Sequence, residues 1–339
     1  VPGLLRGKRV INIASVFINW IGNKTKLLPY ILQIMPPDLD QVLEVFGGSG
    51  ALTLALQSNP NRLDIYNDLN SELANLFLCV KELHCELMKE LKFLPILSRT
   101  TFELYRDFVD HKEITLSNIQ RELDCLEDRE CFSEEQAQIL RPIIQKKLKL
   151  YDVQRAAAFV FRMRGSFSST GANFGVKPMN VLSFLGSFQE ASIRLRDVAI
   201  ENKDALQVIR ERDRPGGLIY ADPPYVDAER LYQVSRRYGN HEFHIRLWQA
   251  LAACKGYVIV SYNDCPFVRQ LYKNFYILAF RRANPLSKRK GAEYGEVLIT
   301  NYDPRPYLTQ LTLFDLDTHI GEYSMELVNI PKQERKNNL

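Results

Sequence analysis

Apolar positions in this chain fall into short runs that end at turn-forming residues. From Gln41 the order is Val-Leu-Glu-Val-Phe, then Gly-Gly-Ser-Gly, then Ala-Leu-Thr-Leu-Ala-Leu. That pattern predicts a short buried strand, a glycine turn and the start of an apolar helix. Arg62-Leu63-Asp64-Ile65-Tyr66-Asn67-Asp68 predicts a second strand ending in an acid. Gly217-Leu218-Ile219-Tyr220-Ala221 is a third apolar run, closed by Asp222-Pro223-Pro224-Tyr225. Phe275–Phe280 and Glu296–Tyr302 are two more strand-like runs flanking a loop from Arg281 to Lys290. A strand, a glycine turn and a helix open a doubly wound α/β sheet, where ligands bind beyond the carboxyl ends of the strands.

Length and composition narrow the class. With 339 residues, 46% hydrophobic and 25% charged, the chain suits about two globular domains. No run approaches the roughly 18 apolar residues of a membrane span, and Val1-Pro2-Gly3 opens no basic-then-apolar leader. A cytoplasmic protein with no membrane partner is expected. The six cysteines form no C-x-x-C pair, so they read as reduced thiols and no metal is expected. His241 and His244 have no third ligand nearby in sequence and read as structural.

Charge is unevenly spread. Residues 101–140 hold four basic and eleven acidic residues, whereas 141–190 hold eight basic residues against Asp152 and Glu190. Arg281, Arg282, Lys288, Arg289 and Lys290 form a second basic cluster with no acid among them. Such stripes suit a phosphate backbone, but either cluster taken alone reads first as an ordinary solvated face.

The most informative residues are Asp222 to Tyr225. Pro223 and Pro224 cannot donate backbone hydrogen bonds and force an extended path. The strand end is thus expected to stay open, with the Asp222 carboxylate, the Pro223 carbonyl and the Tyr225 ring facing one cleft. A flat base bearing an exocyclic amine needs two acceptors and a stacking face, which this set offers. Gly48 and Gly50 would let the backbone approach a ligand closely, and Asp68 would accept from a ribose diol.

Taken in order, Trp20-x-Gly22-x-Lys24, Phe46-x-Gly48-x-Gly50, Asn67-Asp68, Asp204, Asp222-Pro223-Pro224-Tyr225, Val258–Asn263 and Glu296–Tyr302 resemble the Dam-type DNA adenine N6-methyltransferase family. The resemblance implies a Rossmann-like methyltransferase sheet with an inserted, mainly helical target-recognition domain. It also implies S-adenosyl-L-methionine as methyl donor, S-adenosyl-L-homocysteine as product, and a flipped adenine in double-stranded DNA as substrate. Carried over by position, Trp20 and Lys24 lie on the methionine side, and Phe46, Gly48 and Gly50 form the floor. Asp68 holds the ribose, Asp204 the cofactor adenine, and Asp222, Pro223, Pro224 and Tyr225 the target base. Each also has a plainer reading: Trp20 as a core aromatic, Lys24 as a surface charge, Asp204 as the cap of a helix starting at Ala205.

Gly50 and Asp222 are 172 residues apart, whereas three βα units of about 30 residues each would span roughly 90 to 100. The surplus places an insertion near 95–189, between catalytic parts at 1–94 and 190–310, with 311–339 as a tail. The family keeps its recognition domain there, so the basic stripe, with Arg162, Arg164 and Lys177, reads as a DNA face. Arg236 and Tyr238, in the loop after the catalytic strand, are candidates for filling the space left by the flipped base. Arg281, Arg282, Lys288 and Arg289 are candidates for gripping phosphates. The expected protein is a monomer, either solitary or paired with a separate restriction endonuclease in a restriction-modification system. Methyl transfer to cytosine N4 or to adenine in RNA, a non-catalytic DNA-binding protein of the same fold, and a nicotinamide oxidoreductase are the competing readings. The last lacks a catalytic His or Tyr-x-x-x-Lys set.

Overall fold

The computed structural model describes residues 16–18, 20, 22–93, 99–110, 120–121, 123–127, 131–149, 152–166, 181–226, 240–283, 293–308 and 324–331. The chain divides into two compact units: one built from 23–69 and 197–339 with the N-terminal residues, the other from 16–22 and 70–196.

The first unit is the α/β sheet. Its elements are α1 (Leu28–Ile34), β1 (Gln41–Glu44), α2 (Ala51–Ala55), β2 (Leu63–Asn67), β3 (Val198–Glu201), α9 (Ala205–Arg212), β4 (Gly217–Ala221), α10 (His241–Ala252), β5 (Tyr257–Asn263), α11 (Pro266–Leu271), β6 (Tyr276–Ala283), β7 (Glu293–Thr300) and β8 (Ser324–Asn329). The strands run in the order β3-β2-β1-β4-β5-β7-β6-β8. β1 to β5 are mutually parallel, and β7, β6 and β8 complete the sheet in antiparallel fashion.

Strand alternation explains why both faces are covered. Leu43, Ile219, Val258 and Val260 point to one core with Leu206 and Ile209 of α9 and Leu247 of α10. Their neighbours Val42, Leu218, Tyr220 and Ile259 point to the other, with Leu28, Ile31 and Ile34 of α1. Strands buried on both sides read as continuous apolar runs, as these do.

The chain order reverses between β1 and β4, which pair in register from Gln41↔Gly217 to Glu44↔Tyr220. Their carboxyl ends form the switch point where open α/β sheets bind ligands. The sheet also extends further than expected. Residues 311–339 read as a tail in the sequence, yet β8 within them pairs with β6, and Asn329 Nδ2 donates to the carbonyls of Lys273 (3.0 Å) and Phe275 (2.5 Å). Leu327 and Val328 pack against opposite cores.

In the second unit the described elements are helices: α3 (Ser71–Glu82), α4 (His84–Phe93), α5 (Arg99–Asp110), α6 (Glu134–Lys149), α7 (Val153–Arg164) and α8 (Val181–Leu195). The unit runs from Asn70 to Arg196, not 95 to 189. The difference arises because α3 and α4 pack on α7 and α8. Asn75 of α3 fixes this pairing by exchanging two hydrogen bonds with the Asp152 backbone, at 3.0 and 2.8 Å. Among the described residues no helix is long and apolar enough to cross a membrane.

Candidate active site

The glycine turn after β1 is shaped by the end of β2. Gly47 N–H donates to Asn67 O at 2.7 Å, Gly48 N–H to Asp68 Oδ2 at 2.8 Å, and the Tyr66 hydroxyl to Gly48 O at 2.9 Å. A side chain at Gly47 would meet the Tyr66 ring at 2.2 Å. Gly48 and Gly50 have φ of 51° and 67°, the left-handed region that favours glycine.

Gly50 is the N-cap of α2 and has no side chain to offer. Glu44, at the end of β1, caps the helix from across the turn. Its carboxylate accepts from Thr53 N (2.9 Å), Leu52 N (3.3 Å) and Thr53 Oγ1 (2.5 Å). Burial pushes the Glu44 carboxyl up to about 7, against the pull of those bonds and with a smaller push from the charge of Asp222.

Beside this turn, β4 ends in Asp222. Ser261 Oγ on β5 donates to Asp222 Oδ1 at 2.7 Å, and Lys24 Nζ stands 2.9 Å from the same oxygen. The two side chains of the ion pair are only 6% and 18% exposed, so the charges meet in a partly dehydrated setting. Burial raises the Asp222 carboxyl above the ordinary aspartate range; Lys24 and then Ser261 oppose that rise. The Lys24 ammonium also lies 4.8 Å from the centre of the Tyr225 ring, a cation–π distance. The Tyr225 hydroxyl donates to Glu296 Oε1 of β7 at 2.9 Å. Lys24, Asp222, Tyr225, Ser261 and Glu296 thus form one connected group at the switch point, with Gly47–Gly50 and Asp68 at the adjoining strand ends.

A family model for D12 class N6 adenine-specific DNA methyltransferases matches residues 20–283. The chain belongs to that family. As a member it is an adenine-specific DNA methyltransferase, acting on the exocyclic N6. It is 23% identical over 262 residues, 77% of this chain and 81% of the other, to the retron Ec67 DNA adenine methylase of Escherichia coli. Among solved structures, protein LPL1258 of Legionella pneumophila aligns with 95% of this chain and 99% of its own, at 15% identity and a TM-score of 0.31.

The remaining residues singled out in the methyltransferase sequence fall into three groups. Some have a structural partner that the sequence left open. Asp204 is the N-cap of α9, its Oδ1 accepting from Leu206 N at 3.0 Å. Phe46 is half-buried, its ring edge-on to Phe243 at 6.3 Å. Trp20 belongs to the helical unit, 6.3 Å from the Phe159 ring. His241 stacks on Phe267 at 4.1 Å, and His244 Nδ1 lies 2.8 Å from the Tyr262 hydroxyl.

A second group, which includes Arg162 and Arg164 of the basic stripe expected as a DNA face, has partners inside the helical unit. Arg162 is buried and paired with Asp110 at 2.6 Å, and Arg155 with Glu72 at 2.5 Å. Arg164 donates to Phe17 O at 2.9 Å and lies 4.3 Å from the Phe184 ring centre, with burial lowering its pKa. Arg141 pairs with Glu127. Arg141, Arg155 and Arg162 thus each face a carboxylate of the same unit.

The third group lies outside the described residues: Lys177, Arg236, Tyr238, Lys288 and Arg289. Arg281 and Arg282 are in β6, opposite Gly295 and Tyr294 of β7. Sequence reasoning missed Glu44, Ser261 and Glu296 as members of the site. The available signal was a polar or charged residue inside an otherwise apolar strand, which requires a buried partner.

Proposed function

We propose that this enzyme methylates adenine N6 in duplex DNA with S-adenosyl-L-methionine as donor, holding the flipped target base at Asp222, Pro223 and Tyr225. The observation that carries the reading is the fixed Asp222 carboxylate at the end of β4, directly beside the glycine turn after β1. Lys24 and Ser261 both contact Oδ1, so Oδ2 is the oxygen assigned to the substrate amine.

Adenine N6 is a poor nucleophile because its lone pair is delocalised into the ring. Accepting its two N–H bonds at Asp222 Oδ2 and the Pro223 carbonyl localises that lone pair and aims it, so positioning and electrostatics lower the barrier. Pro224 keeps the strand end extended, and Tyr225, tethered through Glu296, gives the base a face to stack on. A base within the duplex cannot reach such a cleft, so it swings out at a cost of a few kcal/mol.

The residues at the strand ends suit the donor. Two left-handed glycines leave backbone without side chains to obstruct a ligand, and Asp68 ends β2 where an acid binds ribose hydroxyls. When bound, S-adenosyl-L-methionine supplies the electrophilic methyl group. Gly48 and Gly50 line its floor with Phe46, Asp68 holds the ribose, and Asp204 is assigned to its adenine amine in addition to capping α9.

The helical unit, inserted between β2 and β3, is assigned to target recognition. Arg281, Arg282, Lys288 and Arg289 are assigned to phosphates, which position DNA without reading it. The enzyme is expected to act in the cytoplasm as a monomer.

The test is to incubate the protein with radiolabelled S-adenosyl-L-methionine and unmethylated duplex DNA, then digest to nucleosides. Label in N6-methyl-2′-deoxyadenosine supports the reading, and its loss in Asp222→Ala with donor binding intact assigns the residue. Label in cytosine, or only with RNA, contradicts it.

A further inference from the structure

Ser261 lies on β5 one residue past Val260, which pairs with Ala221 of β4. It is fully buried, and its Oγ has two partners: Asp222 Oδ1 at 2.7 Å and the Tyr220 hydroxyl at 3.0 Å. A serine has one proton to donate, and an ionised carboxylate can only accept. The Ser261 proton therefore goes to Asp222, and Tyr220 must donate to Ser261. The donation runs one way, from Tyr220 to Ser261 to Asp222.

We propose that Ser261 and Tyr220 are positioning residues that hold the Asp222 carboxylate with Oδ1 anchored and Oδ2 presented to the target amine. This rests on the role given to Asp222 above. The carboxylate could otherwise rotate about its terminal torsion, which is broad and roughly two-fold, and Lys24 alone, a single flexible ammonium, would not fix its plane. A Ser–Tyr relay from two adjacent strands does, because strand backbones are rigid supports.

The relay also bears on protonation. The ionisable groups around Asp222 are Lys24 before α1, Glu44 at the end of β1, Tyr220 on β4, Tyr262 on β5, with Tyr225 and Glu296 beyond. Lys24 is the cation among them, and the Ser261 hydrogen bond further favours the ionised form. Losing that bond raises the Asp222 pKa, so activity should fall off at a higher pH on the acid side.

The experiment compares single-turnover methylation rates across pH for wild type, Ser261→Ala, Ser261→Thr, Tyr220→Phe and Ser261→Ala/Tyr220→Phe, with Asp222→Ala as reference. Ser261→Ala should slow methyl transfer about tenfold or more, the effect of one hydrogen bond to a charged group, and shift the acid limb upward. KM for the donor should change by less than about twofold, since the relay acts on the amine. Ser261→Thr, which keeps the hydroxyl, should restore most of the rate. Tyr220→Phe should act in the same direction but less, and should add nothing to Ser261→Ala, because Tyr220 works only through the serine.

A wild-type rate and acid limb in Ser261→Ala, or additive effects in the double variant, would overturn the proposal. If Ser261→Ala fails to fold, Tyr220→Phe decides alone: an unchanged rate and limb overturns it. An active Asp222→Ala would instead overturn the underlying role of Asp222, so the two failures are distinguishable.

Discussion

Lys24 Nζ lies 2.9 Å from Asp222 Oδ1 and 4.8 Å from the centre of the Tyr225 ring. A carboxylate and an aromatic face are the two side-chain partners assigned to the target adenine beside the Pro223 carbonyl, so this lysine supports both. Lys24→Ala should lower methyl transfer about 10- to 100-fold, the effect of one charge-assisted hydrogen bond. It should also raise the acid limb, because the cation holds the Asp222 pKa down. Rates measured from pH 5 to 9 check this; an unmoved limb would mean that the ion pair does not persist in the working enzyme.

Glu44 should leave a signature in stability. Its carboxyl is pushed from 4.5 to about 7 on folding by burial, so between those values the folded state binds more protons than the unfolded one. Stability contributed at this site therefore falls as pH rises from about 5 to about 7. The wild-type advantage over Glu44→Gln should shrink across that window by up to about 3 kcal/mol. Urea unfolding of both proteins at several pH values measures it, and a pH-independent difference would rule it out.

Gly47 is limited by space. A methyl group there would sit 2.2 Å from the Tyr66 ring, whose hydroxyl clasps Gly48. Gly47→Ala should cost about 1–3 kcal/mol of stability through overpacking and raise KM for the donor. Gly47→Ala/Tyr66→Phe should not recover it, because the clash is with the ring carbons; recovery requires a smaller residue such as Tyr66→Ala. Thermal unfolding together with donor titration distinguishes these outcomes.

The arginines separate by salt dependence. Arg162 is paired with Asp110, so Arg162→Ala should lower stability by about 1–3 kcal/mol and leave the salt dependence of DNA binding unchanged. Neutralising Arg281, Arg282, Lys288 and Arg289 should weaken binding to all sequences alike and flatten the slope by about 0.9 for each phosphate no longer neutralised. Binding isotherms at several salt concentrations read both, and an unchanged slope in the second variant would remove these four residues from the interface.

How much of this was legible in the sequence depended on how local each feature is. The glycine turn, the acid ending β2 and the Pro-Pro stop after β4 are encoded in consecutive residues, and each lies at the carboxyl end of its strand. The pairing of β6 with β7 followed from two apolar runs flanking one loop. Features that depend on distant partners were not visible. β8 has one six-residue run whose neighbour, β6, lies some 40 residues earlier. Counting charge along the basic stripe could not show which of its side chains are solvated. The segment Arg155–Arg164 is apolar nearly all round, which marks a buried helix, and its arginines then have to be paired. Glu44 and Ser261 each interrupt a run of apolar residues, and their partners, α2 and Asp222, emerge only once the strands are side by side.

The role of Asp222 is tested most directly by a crystal structure of the protein with a duplex containing its target adenine and sinefungin, a non-transferring analogue of the donor. The expected result is the adenine outside the helix, N6 within hydrogen-bond distance of Asp222 Oδ2 and the Pro223 carbonyl, and its ring stacked on Tyr225. An adenine bound elsewhere, or an Asp222 whose two oxygens are both taken by protein groups while the base is in place, would contradict it.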